Sequence, residues 1–228
     1  MKLLPILLII LYAVVMWLLS AWRLRQQLTE NSTPLDDPRL AAALDRLGRA
    51  MGIGPVRAHV YEIKPVNGLA APDGRVFLTR GFLDQLDAGR VSEAELASVI
   101  AHELGHVTHG HARRRMMDFA GQNLVRMVLA TTFGRFIPFI GPWIASLVAS
   151  ALAARLSRED EYEADAFAAA LMVKAGFGTA PQKALLSRLD KLTGMTGRPV
   201  AWLASHPPIP RRIEAIEALE RRWNLPAA

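Results

Sequence analysis

Cysteine is absent from all 228 residues. That excludes disulfides, thiolate zinc sites, thiol nucleophiles and a lipidated cysteine anchor, so any metal here must be held by histidine and carboxylate. Acidic residues are the minority, 21 against 27 lysines and arginines, which leaves a formal charge of +6. The basic clusters, Arg113 to Arg115, Arg211 with Arg212 and Arg221 with Arg222, lie far apart and lack interleaved aromatic platforms. No nucleic-acid partner is therefore expected. An anionic membrane surface accounts for the same charge more simply.

Apolar residues are plentiful, at 51%, and the length suits one catalytic domain with some apolar surface left for lipid. Leu3 to Trp22 carries no charge, and about twenty residues at about 1.5 Å each suffice to cross a bilayer core of about 30 Å. Residues 1–25 are expected to be a transmembrane anchor, with Trp17 and Trp22 at the interface and Arg23 and Arg25 beyond it. The apolar run is too long for a signal-peptide core, and "LLSAW" is a poor cleavage site. The expected location is the inner (plasma) membrane. Positive-inside counting leans towards a cytoplasmic catalytic domain, although large domains cross regardless of charge.

Residues 26–38, with "NSTPLDDP", read as a polar linker, and residues 39–228 as the catalytic domain. Leu40, Ala43, Leu44, Leu47 and Met51 fall at helical spacing before Gly52 and Gly54. "VRAHVYEI" alternates as a strand does and "RVFLT" is a second short strand, so Val56 to Thr79 should form a small hairpin-like sheet. Ser92 followed by Glu95 is a capping box, and "ELASVIAHELGHVTHGH" then runs helically without proline. The expected fold class is mainly α with a small β-sheet.

His102 and His106 lie four residues apart on that helix, offset by about 40° around the axis and about 6 Å along it, so both imidazoles can reach one ion. His109 points roughly as His102 does but lies about 10 Å further along, and His111 is on the opposite face. Both read as polar or capping residues near a helix end. Glu103 is placed to take a proton from a metal-activated water, as in H-E-x-x-H metalloproteases.

Catalytic zinc usually has three protein ligands and an open position, so a third must come from elsewhere. "SREDEYEADAFAAALMVKAG" reads as a helix beginning with acidic residues, where the dipole alone would favour carboxylates. Glu161 and Asp165 share its apolar stripe with Ala164, Ala168, Met172 and Ala175, while Glu159 and Glu163 turn away. Glu161 is the expected ligand. Asp165, one turn on, is placed to accept the free ring N–H of a ligating histidine.

"HELGH", then "SREDEYEAD", then "SHPPIPRRI" resemble the HtpX-like membrane metallopeptidases, gluzincins related to the CAAX prenyl endopeptidase. The resemblance spans about Val56 to Leu219. It implies a gluzincin-type domain with one Zn2+ per chain on His102, His106 and Glu161, and Glu103 as catalytic base. It also implies that His206 and Arg212 steady the oxyanion or the substrate, although Arg212 could equally anchor its segment. Relatives present an edge strand with Asn-Ala-Phe-Ala, which here is Asn67, Gly68, Leu69 and Ala70; Gly68 and Leu69 depart from that pattern. Such a strand would bind an extended peptide by strand addition.

Leu124 to Ala154 is apolar but broken by Arg126, Arg135, Pro138, Gly141 and Pro142. Close relatives place two transmembrane helices there. In this chain a hydrophobic helical hairpin, lying on the membrane or covering the cleft, is expected; a buried helical pair or true spans are the alternatives. The chain thus reads as a membrane-anchored zinc endopeptidase. Its expected partners are a lipid bilayer and unfolded or membrane-protein substrates, a class that comes from the resemblance and suggests protein quality control. A proteolytically inactive zinc-binding adaptor or chaperone is the alternative, although the intact Glu103, His206 and Arg212 argue against it.

Overall fold

Asp37 and Ser92 start the helices that frame the site. The computed structural model describes residues 3–111, 114, 141–194 and 207–225. In chain order these form α1 (Leu3–Glu30), β1 (Ser32–Pro34), α2 (Pro38–Met51), β2 (Ala58–Tyr61), β3 (Gly68–Ala70), β4 (Val76–Thr79), α3 (Arg80–Asp87), α4 (Glu93–Thr108), α5 (Gly141–Lys174), α6 (Ala180–Gly194) and α7 (Ile209–Arg222). The fold is mainly helical with a small four-strand mixed sheet.

Asp37 caps α2 by accepting from the Arg39 N–H, Pro38 takes the first turn where no N–H is needed, and Gly52 ends the helix at φ 75°. Leu40, Leu44 and Leu47 enter the core from one face, each burial contributing roughly 1.5–3 kcal/mol. Ser92 and Glu95 form the expected reciprocal capping box at the start of α4. This fixes the helix that carries the histidines.

The sheet order is β1-β2-β4-β3. β2 and β4 are parallel, and the hairpin joins β3 to β4, turning at Gly74 with φ 88°. The sheet is therefore not a hairpin of the two strands expected. Where the sequence reads as polar linker, α1 continues to Glu30 and β1 pairs antiparallel with β2. β3 lies at an edge of the sheet. Leu28 near the end of α1 packs with Ala71 and Phe77 on the outer side, where Leu69 joins them. α4 runs through the main core against the sheet and the helices α2, α5 and α6.

α5 is a single helix of 34 residues beginning at Gly141, with Pro142 in its first turn. The acidic run therefore lies mid-helix, beyond reach of the amino-terminal dipole invoked from sequence. The expected apolar hairpin falls partly on residues 124–140, outside the described residues; 141–154 form the first turns of α5. Among the described residues no helix is long and apolar enough to cross a membrane. The expected spanning segment is instead the first part of α1, which continues through Arg23, Arg25 and Glu30.

Candidate metal centre

α4 and α5 approach closely because Gly105 has no side chain. A Cβ there would lie 3.0 Å from the Cα of Ala164 and 3.1 Å from its carbonyl oxygen. That contact brings Glu161 of α5 to the two histidines of α4. The Nε2 atoms of His102 and His106 are 3.1 Å apart. Glu161 places Oε2 3.4 Å from His102 Nε2 and Oε1 3.5 Å from His106 Nε2. All three side chains are buried, and one donor atom from each falls within 4.8 Å of the others.

The far sides of the rings are also engaged. His102 Nδ1 is 3.0 Å from Asp165 Oδ1. Arg212, from α7, donates to both oxygens of Asp165, Nε to Oδ2 at 2.6 Å and Nη2 to Oδ1 at 2.5 Å. Gln182 of α6 donates to the Asp165 carbonyl at 3.2 Å. His106 Nδ1 faces His111 Nδ1 at 2.8 Å, and His111 Nε2 lies 3.0 Å from Glu163 Oε2 and 3.6 Å from Asp160 Oδ1.

Burial would raise the Asp165 carboxyl, but the Arg212 charge and hydrogen bonds from Arg212 and His102 outweigh it and hold the group at about 2. For His102 burial acts downward, and the hydrogen bonds to Asp165 and Glu161 overcome it, raising the imidazole to about 9. His111 goes the other way. Burial lowers it despite Glu163.

Glu103 is buried beside this cluster and meets the edge strand. A Cβ on Gly68 would lie 2.6 Å from Glu103 Oε1 and 2.8 Å from Val99 Cγ1, so the bare glycine leaves room for the carboxylate. Asn67 accepts from the Thr79 N–H at 3.0 Å, and its own N–H donates to Thr79 Oγ1 at 2.9 Å. In this antiparallel register, residues 67, 69 and 71 bond inward to β4, so the N–H and C=O groups of Gly68 and Ala70 point to the outer edge.

The structure thus brings together His102, Glu103, His106, Glu161, Asp165, Arg212 and the edge residues Asn67 to Ala70. His206 lies outside the described residues. Arg212 is 1% exposed, with its guanidinium on Asp165 at the Nδ1 side of His102. His111 and Glu163 were missed from sequence. A continuous helix would put His111 on the opposite face, but α4 stops at Thr108, His109 caps it, and Gly110 at φ 67° turns the chain back. A glycine between histidines at a helix end was the available signal.

The donor chemistry fits a divalent cation. Buried around the cluster, the carboxylates of Glu103, Glu161 and Asp165 face one guanidinium, a surplus of two negative charges when the imidazoles are neutral. Two neutral Nε2 atoms cannot both present lone pairs across 3.1 Å without a cation or a proton between them. Two histidines with one glutamate make a catalytic zinc ligand set, and with the H-E-x-x-H helix they define the class of zinc metalloendopeptidases. Residues 34–220 match the sequence profile of peptidase family M48, and the chain belongs to that family.

Relatives agree. The chain is 30% identical over 178 residues to metalloprotease YcaL of Escherichia coli K12, covering 78% of this chain and 67% of that protein. It is 28% identical to metalloprotease LoiP of the same organism, again over 178 residues, covering 78% and 68%. A protease HtpX homologue of Acidiphilium cryptum is 34% identical over 172 residues, covering 68% of this chain and 57% of that protein.

Proposed function

We propose that this zinc metalloendopeptidase cleaves extended segments of unfolded or membrane proteins at the surface of the inner (plasma) membrane, with Glu103 as general base. The observation that carries the reading is the placement of Glu103 between the His102–His106–Glu161 cluster and the outward-facing edge at Gly68. A peptide paired along β3 would bond to the backbone of Gly68 and Ala70, which satisfies its polar groups and reads little of its sequence. His102, His106 and Glu161 would hold zinc, which when bound would supply Lewis-acid charge to ease ionisation of water and polarise a carbonyl. Glu103 takes a proton from the attacking water and returns one to the leaving amine. Asp165 holds the proton on His102 Nδ1 and so keeps Nε2 available for the metal, while Arg212 holds Asp165 ionised.

The same proposal makes α1 a lipid anchor. Leu8, Ile10, Leu11, Tyr12, Val14, Val15, Met16, Leu18, Leu19 and Trp22 are exposed along it, a continuous apolar surface that water alone would not favour. A bilayer supplies the missing cover.

The test is to purify the chain in detergent beside Glu103→Gln, measure zinc per chain, and follow cleavage of casein. One zinc in both with chelator-sensitive cleavage in the parent alone supports the proposal. Zinc in both with cleavage in neither favours the inactive adaptor, and a parent without zinc overturns the reading.

A further inference from the structure

His111 is fully buried, and a buried imidazole must satisfy both ring nitrogens. Its Nδ1 meets His106 Nδ1 at 2.8 Å and its Nε2 meets Glu163 Oε2 at 3.0 Å. Only one of the two facing Nδ1 atoms can carry the proton, and the carboxylates decide which. If His111 held its single proton on Nδ1, its Nε2 lone pair would point at Glu163 and Asp160, charge against charge. If Nε2 carries the proton, it donates to Glu163, and the Nδ1 lone pair is left to accept from His106.

We propose that His111 is a positioning residue for the metal ligand His106: through it Glu163 fixes the proton of His106 on Nδ1 and leaves Nε2 free to bind zinc. The inference rests on the peptidase reading of the site and adds a residue to it. It gives His106 what Asp165 gives His102. The fold builds this from two local features. Gly110, at φ 67°, returns His111 to the cluster after α4 ends, and Asp160 and Glu163 share one face of α5 at i, i+3 spacing. Arg114 donates to Asp160 at 3.2 Å and holds that carboxylate beside the ring.

The cluster of His109, His111 and Glu163 could itself be taken for a second metal site. The rings of His109 and His111 are stacked at an interplanar angle of 14°, so their in-plane lone pairs run side by side and do not converge. His111 is also already committed through both nitrogens.

The test compares full-length parent, His111→Gln, His111→Phe and Glu163→Ala in detergent, measuring zinc affinity by chelator competition. Glutamine can accept from His106 and donate to Glu163, whereas phenylalanine only fills space. His111→Phe should bind zinc about 10–100-fold more weakly, as loss of an outer hydrogen-bond partner does, and His111→Gln should stay within about threefold of the parent. Glu163→Ala changes a half-exposed residue and so spares the fold; it should weaken zinc about 3–10-fold with unchanged thermal unfolding of the metal-free protein. Equal losses in the Gln and Phe variants, or parent affinity in Phe and Ala, would overturn the inference. A parent that binds no zinc would overturn the peptidase reading instead. Long-range 1H–15N NMR of the metal-free protein then decides the inference separately: a proton on His106 Nδ1 sustains it, and one on Nε2 refutes it.

Discussion

Removing zinc should make the stability of the fold depend on pH between about 6.5 and about 9, because a proton on His102 then occupies the buried site. The imidazole is raised in the folded chain, so its contribution is complete below about 6.5 and is lost as pH rises through about 9. A displacement from 6.5 to about 9 corresponds to roughly 3 kcal/mol. Asp165, held at about 2, stays ionised throughout that window and contributes no slope there; its stabilisation is lost only as pH falls towards about 2. Urea unfolding of the chelator-treated protein at pH 6.5, 8 and 9.5 should show the decline. Asp165→Asn should flatten it by removing a principal partner of the charged ring. The same proton must leave when zinc enters, so apparent zinc affinity should rise about tenfold from pH 7 to pH 8, with about one proton released per zinc by calorimetry in buffers of different ionisation heat. A flat stability profile together with no proton release at pH 7 would refute the assignment of charge to His102.

Substitutions at three positions test the packing around the site. Arg212→Met should cost about 3–5 kcal/mol in urea unfolding, because it leaves Asp165 buried without its charge partner, and Arg212→Lys should recover only part, since one ammonium cannot span both oxygens. Gly68→Val should lower kcat for casein at least about tenfold with zinc content unchanged, because its Cβ falls on the Glu103 carboxylate and general acid–base catalysis contributes at least that much; an unchanged kcat would separate Glu103 from the strand. Gly105→Val should cost about 1–3 kcal/mol and weaken zinc binding, since the added methyls push Ala164, and Glu161 with it, away from α4.

The parts legible in the sequence were those governed by spacing within one element. The capping box at Ser92, the i, i+4 pair His102 and His106, and the matching pair Glu161 and Asp165 depend only on helical period, and the structure places each on the expected face. The illegible parts depend on chain reversal or on partners distant in sequence. β1 hides in a polar stretch because a three-residue edge strand needs little hydrophobic pattern of its own. β2 and β4 read as hairpin partners, but a parallel pair separated by another strand leaves no local mark. The role of Arg212 stayed open between substrate and anchor because its placement on Asp165 is a contact across 47 residues. His111 was lost to the assumption that α4 continues straight through Gly110.

The acidic run of α5 takes on a single logic once its two faces are separated. Glu161 and Asp165 look to α4: one carboxylate joins the ligand cluster and the other takes the Nδ1 side of His102. Asp160 and Glu163 look to the segment beyond α4 and reach His106 through His111. One helix thereby supplies a ligand and the carboxylate ends of both histidine chains, so their relative orientation is set by helical geometry and not by flexible loops. The two chains differ in burial. Asp165 is sealed against Arg212, while Glu163 is half-exposed, so the His106 side should be the one through which salt tunes the grip on zinc. If so, raising ionic strength should weaken zinc binding in the parent more than in Glu163→Ala, and equal salt dependence in the two would place that control elsewhere.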